Sequence, residues 1–193
     1  MNKNRLEAFS DGVLAVIITI MVLEMKAPHE PTLEALRQLW PIFLSYILSF
    51  IFIGIYWNNH HHLLQVVRQV NGRILWANLH LLFWLSLIPF VTAWVGQNHF
   101  SAIPVALYGV VLFMAGAAYF RLSQVLILHH GKDSALAKAV GKDGKGKLSL
   151  VIYAIAIAFA FRCPWISCLL YAVVAAMWLV PDRRIEKVLE DHA

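Results

Sequence analysis

Six apolar stretches divide the chain, at residues 8–25, 40–62, 74–95, 103–128, 148–161 and 164–180. Each reads as a helix crossing a hydrocarbon core of about 30 Å, although the fifth is short for a span. Pro28 and Pro31 stop the first stretch, and Thr32 to Gln38 forms a short polar connection. Pro41 falls in the first turn of the second, where a helix tolerates it. Pro89 inside the third predicts a kink. A glycine- and lysine-rich loop runs from His129 to Lys147, Arg162-Cys163-Pro164 makes a tight turn, and Pro181 to Ala193 is a charged tail read as a short exposed helix end. The pattern predicts an all-α membrane protein with six transmembrane helices, forming one domain over residues 1–193.

Composition agrees. The chain is 60% hydrophobic and 14% charged, with a mean hydropathy of +0.66. A soluble domain carries about 25% charge, so nothing is left over for a soluble catalytic domain. Glu7 and Asp11 interrupt the basic start and no small-residue cleavage site follows, so the first stretch reads as a span rather than a secretory signal. The net charge of +5 suggests nucleic acid, but the basic residues lie in loops where they set topology. With the N-terminus cytoplasmic, all of the 16 lysines and arginines except Lys26, Arg37 and Arg162 fall inside. Both termini are then cytoplasmic, and the protein is a multi-pass component of the cytoplasmic membrane. Cys163 and Cys168 are spaced wrongly for an intrahelical disulfide and match no metal or redox motif, so they read as packing residues.

The first stretch has two unlike faces. On a wheel of about 100° per residue, Ile20 and Leu23 fall within about 40° of Val16, with Thr19 at the edge of that stripe. Ser10 and Asp11 lie on the opposite side. Asp11 at the start of a membrane helix is costly unless paired or wet, which makes it a candidate site. Capping near the headgroups is the plainer role for Ser10-Asp11-Gly12, and helix packing the plainer role for the stripe.

A second polar group, Tyr56-Trp57-Asn58-Asn59-His60-His61-His62, closes the second span, and Asn78 and His80 enter with the third from the same side. Adjacent histidines point about 100° apart on a helix and have no carboxylate or cysteine at ligand spacing, so a metal site is not expected. A haem between His61 and His80 has no spacing signature either. No cofactor is expected. The better reading is a hydrogen-bonded network in which Ser10 and Asp11 accept from a histidine, an indole N–H and an asparagine amide. His60 and His62 are expected to be exposed at the interface.

Enzyme chemistry finds no support: there is no His-Glu-x-x-His, no Gly-x-Ser-x-Gly and no phosphate loop. Gly141 to Gly146 reads as a solvated cationic loop meeting anionic headgroups. The two sets of three spans show no repetition of the kind transporters carry. The potassium filter Thr-Val-Gly-Tyr-Gly is absent. One subunit cannot enclose a pore, but four copies of the first helix would stack Val16, Ile20 and Leu23 as apolar rings, with Thr19 hydroxyls beside them.

Arg5-x-x-x-Phe9-Ser10-Asp11-Gly12, followed by an apolar helix holding Thr19 and ending Leu23-Glu24, resembles the first-helix signature of the transmembrane protein 175 family. Trp57-x-x-His60-His61, Asn78-Leu79, Pro89-Phe90 and Thr92 resemble the signatures of its second and third helices. The resemblance covers residues 5 to 95; the last three spans agree only in number and hydrophobicity. It implies a potassium channel of the six-helix, single-repeat bacterial type, a homotetramer in the lipid bilayer whose first helices line the pore. Val16, Ile20 and Leu23 would carry the constricting rings, with Thr19 beside them. Arg5, Phe9, Ser10 and Asp11 would form a structural network with Trp57, His61 and Asn78. It further implies leak-like conduction of potassium over sodium, without a voltage sensor; no span here carries a row of arginines. Valine at the first ring departs from the larger aliphatic residue common there, which would widen that ring. The alternatives are a proton-linked transporter, or a non-conducting scaffold, using the Asp11/His61 network.

Overall fold

The computed structural model describes residues 3–65, 67, 69–131, 134, 137 and 143–179, and among these it is all-helical. The helices are α1 (Lys3–Leu23), α2 (Leu33–Gln38), α3 (Trp40–Gln65), α4 (Gly72–Ser86), α5 (Ile88–Gln97), α6 (Ala102–His130), α7 (Gly144–Phe159) and α8 (Pro164–Leu179). The tail at 181–193 lies outside the described residues, as do Arg68, Lys132, Lys138, Lys142, Arg183, Arg184 and Lys187 of the charge tally.

Local chemistry sets the boundaries. The polar connection after α1 is itself a short helix, capped where the Thr32 hydroxyl accepts from the Ala35 N–H at 3.2 Å. Asn71 does the same for α4, accepting from Ile74 N–H at 3.0 Å. At the expected kink near Pro89 the helix is interrupted at one residue, Leu87: α4 ends at Ser86 and α5 starts at Ile88. Pro89 has no N–H for the Leu85 carbonyl, yet its fixed φ suits the first turn of the new helix. Gly131 ends α6 at φ +93°, a conformation few side chains adopt, with its N–H on the Ile127 carbonyl.

α6 is the hub, packed against α4, α5, α7 and α8, while α1 packs against α3, α4 and α5. α6 approaches α8 so closely that a Cβ at Gly109 would collide with the Tyr171 hydroxyl, which donates to the Val105 carbonyl at 3.1 Å. One apolar core runs through the bundle, from Leu14 and Ile17 to Leu112, Ala156 and Val174.

Among the described residues four helical stretches are long and apolar enough to cross a membrane: α1, α3, α4 together with α5, and α6. α7 and α8 have 16 residues each. At about 1.5 Å per residue α7 reaches about 24 Å, less than the hydrocarbon thickness, and α8 is described as far as Leu179. Several helix ends gather by contact. The Lys3 ammonium donates to the carbonyls of Leu64 and Gln65 at 3.2 and 3.0 Å, and Asn71 meets His129 at 3.0 Å. The start of α1, the end of α3, the start of α4 and the end of α6 therefore share one end of the bundle, called here the N-terminal end.

Candidate functional site

The polar residues at the N-terminal end separate into a buried group and an exposed one. In the buried group Asn78 Oδ1 can only accept, so His60 Nε2 donates to it at 2.7 Å. Asn78 Nδ2 donates to Ser10 Oγ at 2.9 Å, and Ser10 Oγ donates to the Leu6 carbonyl at 2.8 Å. This chain ties α1, α3 and α4 together with every donor pointing the same way. All three side chains are buried, His60 at 2% exposure.

The exposed group is closer to water. Trp57 Nε1 donates to Asp11 Oδ1 at 3.1 Å, and the Trp57 ring stacks on His61. His61 Nδ1 lies 2.9 Å from Glu7 Oε1, and its Nε2 meets the Gln65 amide at 2.8 Å. Arg5 and Phe9 are exposed on α1.

Two expectations change. The histidine that reaches Asn78 is His60, not His61, and His60 is buried rather than interfacial. His62 is half-buried, with its Nδ1 enclosed and unpartnered. The signal was present in the sequence. Ser49, Ile53, Tyr56 and His60 recur at helical spacing on the buried face of α3, and stepping back from His60 would have found the apolar residues beneath it. Glu7 as the partner of His61 was also missed; it sits four residues before Asp11, on the same side of α1.

A second buried cluster sits deeper. Ser49 Oγ lies 2.6 Å from Thr92 Oγ1 and 3.0 Å from the Tyr108 hydroxyl, joining α3, α5 and α6. Thr92 Oγ1 also donates to the Ile88 carbonyl at 2.6 Å, steadying the first turn after the interruption at Leu87. Hydroxyls held this way satisfy one another away from water, as the membrane interior demands.

The remaining expected residues lie on the other face of α1. Leu6, Ser10, Leu14, Ile17 and Met21 are buried against the bundle. Val16, Ile20 and Leu23 are 55%, 42% and 75% exposed, forming an open apolar stripe. Thr19 lies on the same open side, with its hydroxyl donating to the Val16 carbonyl at 2.8 Å. Cys163 and Cys168 are free thiols. Among the described residues no three of His, Cys, Asp or Glu are grouped to hold a metal ion. His61 is engaged by Glu7, and His80 accepts from Trp84 Nε1 at 3.1 Å.

Known proteins resemble this chain in sequence and in fold. The family described as endosomal/lysosomal potassium channel TMEM175 matches residues 5–89. A potassium channel of Chryseobacterium sp. (strain P1-3) is 54% identical over 192 residues, covering the whole of both chains. The mouse endosomal/lysosomal proton channel TMEM175 is 28% identical over 84% of this chain and 37% of its own length. The crystal structure of a lysosomal potassium-selective channel TMEM175 homolog from Chamaesiphon minutus superposes with a TM-score of 0.81, at 28% identity over 93% of this chain and 97% of that one. This chain belongs to the TMEM175 family of ion channels.

Proposed function

We propose that the protein is a potassium-permeable, leak-type cation channel of the cytoplasmic membrane, assembled as a homotetramer with α1 from each subunit lining a central pore. The observation that carries this reading is the open face of α1. An apolar stripe of Val16, Ile20 and Leu23 runs along a helix whose other face is fully packed. A fourfold assembly about that stripe stacks three apolar rings on the axis, with Thr19 beside them. Apolar rings of this kind constrict a pore and gate it by dewetting. The chain would cross the membrane six times with both termini cytoplasmic, α4 and α5 making one interrupted crossing and α7 and α8 the last two. The relatives named as potassium channels support potassium as the permeant ion.

In this reading the polar contacts at the N-terminal end hold α1 in place. Ser10 and Asn78 anchor it from inside, while Asp11 and Trp57 hold its rim, with Arg5, Phe9 and His61 around them. A proton-linked transporter would need Asp11 and His61 in one relay, but each has a different partner, Trp57 and Glu7.

The test is cation flux from liposomes holding purified protein, under matched potassium and sodium gradients. Faster potassium flux is expected. Absence of flux for both ions, from protein shown to be tetrameric, would turn the reading to a scaffold or a coupled transporter.

A further inference from the structure

Away from α1, a groove of about 530 Å³ lies between α4 and α6 near the N-terminal end of the bundle. Arg73, Trp76, Ala77 and His80 line it from one face of α4, at spacings of three, four and seven residues. Arg121 and Val125, four apart, line it from α6. The Asn71–His129 contact sets the register of the two helices. At about 1.5 Å per residue, His80 and Arg121 both sit about 12–14 Å in from that contact, and Arg73 about 3 Å in. Trp84 donates to His80 Nε2, which leaves Nδ1 as the ring nitrogen not engaged by that bond. Trp76 is 75% exposed, an indole at the level where such rings settle among headgroups.

Nothing described nearby neutralises the two guanidinium groups. At this end Glu7 is engaged by His61, Asp11 by Trp57, and Asp143 caps α7 at the Gly146 N–H. The other described carboxylates, Glu24, Glu30 and Glu34, follow α1 at the far end. Among the described residues neither arginine has an ion-pair partner. A second copy meeting this face two-fold would set arginine against arginine, which is repulsive. Two guanidinium groups lining one groove suit an anion, and at a membrane surface the abundant one is a lipid phosphate.

We propose that the α4–α6 groove binds the phosphate headgroup of an anionic membrane lipid. Arg73 and Arg121 hold the phosphate from the two helices, His80 donates to it, and Trp76 lies along the glycerol backbone. Guanidinium groups suit phosphate because their paired N–H donors match its oxygens. The inference does not depend on conduction, since binding is read on the assembled protein whether or not it passes ions.

The experiment is native mass spectrometry of the purified protein offered phosphatidylglycerol, phosphatidylcholine or inorganic phosphate at equal concentration. Phosphatidylglycerol should be retained at least about tenfold more strongly than phosphatidylcholine. The Arg73→Gln/Arg121→Gln variant should lose that preference by about tenfold or more, at the strength a pair of membrane-surface arginines supplies. Arg162→Gln, at the far end, should keep it. If the double variant does not fold, the wild-type protein still decides the matter, because selective retention must weaken as salt rises. Equal retention of the two lipids, a variant that binds like wild type, or salt-independent retention would overturn the proposal. Saturation by inorganic phosphate alone would overturn the lipid as its source.

Discussion

α1 and α6 are both long, continuously apolar helices, and hydropathy alone assigns them the same role. The structure does not. Half of the most apolar part of α6 is buried within the subunit, against 28% for α1. α6 has neighbours on several sides, α4, α5, α7 and α8, whereas α1 packs with one face and leaves Val16, Ile20 and Leu23 outside. What distinguishes them is where the polar and small residues fall. Gly109, Ala115 and Ala118 let other helices close on α6, while Ser10 fastens one side of α1 and leaves the other clear. An apolar membrane helix can be a core or a partner-facing wall, and its sparse polar positions tell which.

The strongest way to break the contrast is to overfill the hub. Gly109→Leu drives a side chain into Tyr171 and Ile157 and should destabilise the subunit by about 3 kcal/mol, read as lost monodisperse protein in detergent. Next comes the pair of truncations on α1. Ile17→Ala, on the packed face, should cost about 2 kcal/mol or more of thermal stability. Leu23→Ala, on the open face, should leave subunit stability within about 0.5 kcal/mol and raise or deregulate flux. Equal thermal losses for the two would erase the distinction between the faces.

Smaller effects sharpen the account of the anchor. Asn78→Leu strands the His60 N–H and removes the tie to Ser10, for about 1–2 kcal/mol in a membrane setting, measured by thermal unfolding. Asp11→Asn keeps an oxygen for Trp57, so the subunit should change by about 0.5 kcal/mol or less. That variant is expected to weaken the proposed tetramer in detergent; a well-assembled but inactive protein would favour coupled transport instead.

Much of this was legible in the chain. Long apolar runs marked α1, α3 and α6, and Ser10 and Asn78 were readable as buried partners because a membrane interior leaves such groups no alternative. The stripe at Val16, Ile20 and Leu23 followed from spacing of four and three. The assignment within His60-His61-His62 did not follow from composition, since three adjacent identical side chains share every local property. Only the register of α3, fixed by Ser49, Phe52 and Tyr56 below them, decides which one enters the core. The interruption at Leu87 was foreseen as a kink because Pro89 is visible, while the Thr92–Ser49–Tyr108 contacts beside it join residues 43 and 59 positions apart. Pairings of that range depend on how helices dock, not on any local pattern.

Whether the open face of α1 lines the permeation path is decided by accessibility. With Cys163 and Cys168 replaced by serine, single cysteines would be placed at Ile20, Leu23 and Ile17, and flux measured before and after a charged thiol reagent. Block is expected at Ile20→Cys and Leu23→Cys, and no change at Ile17→Cys. Full flux after complete modification at both stripe positions would contradict it.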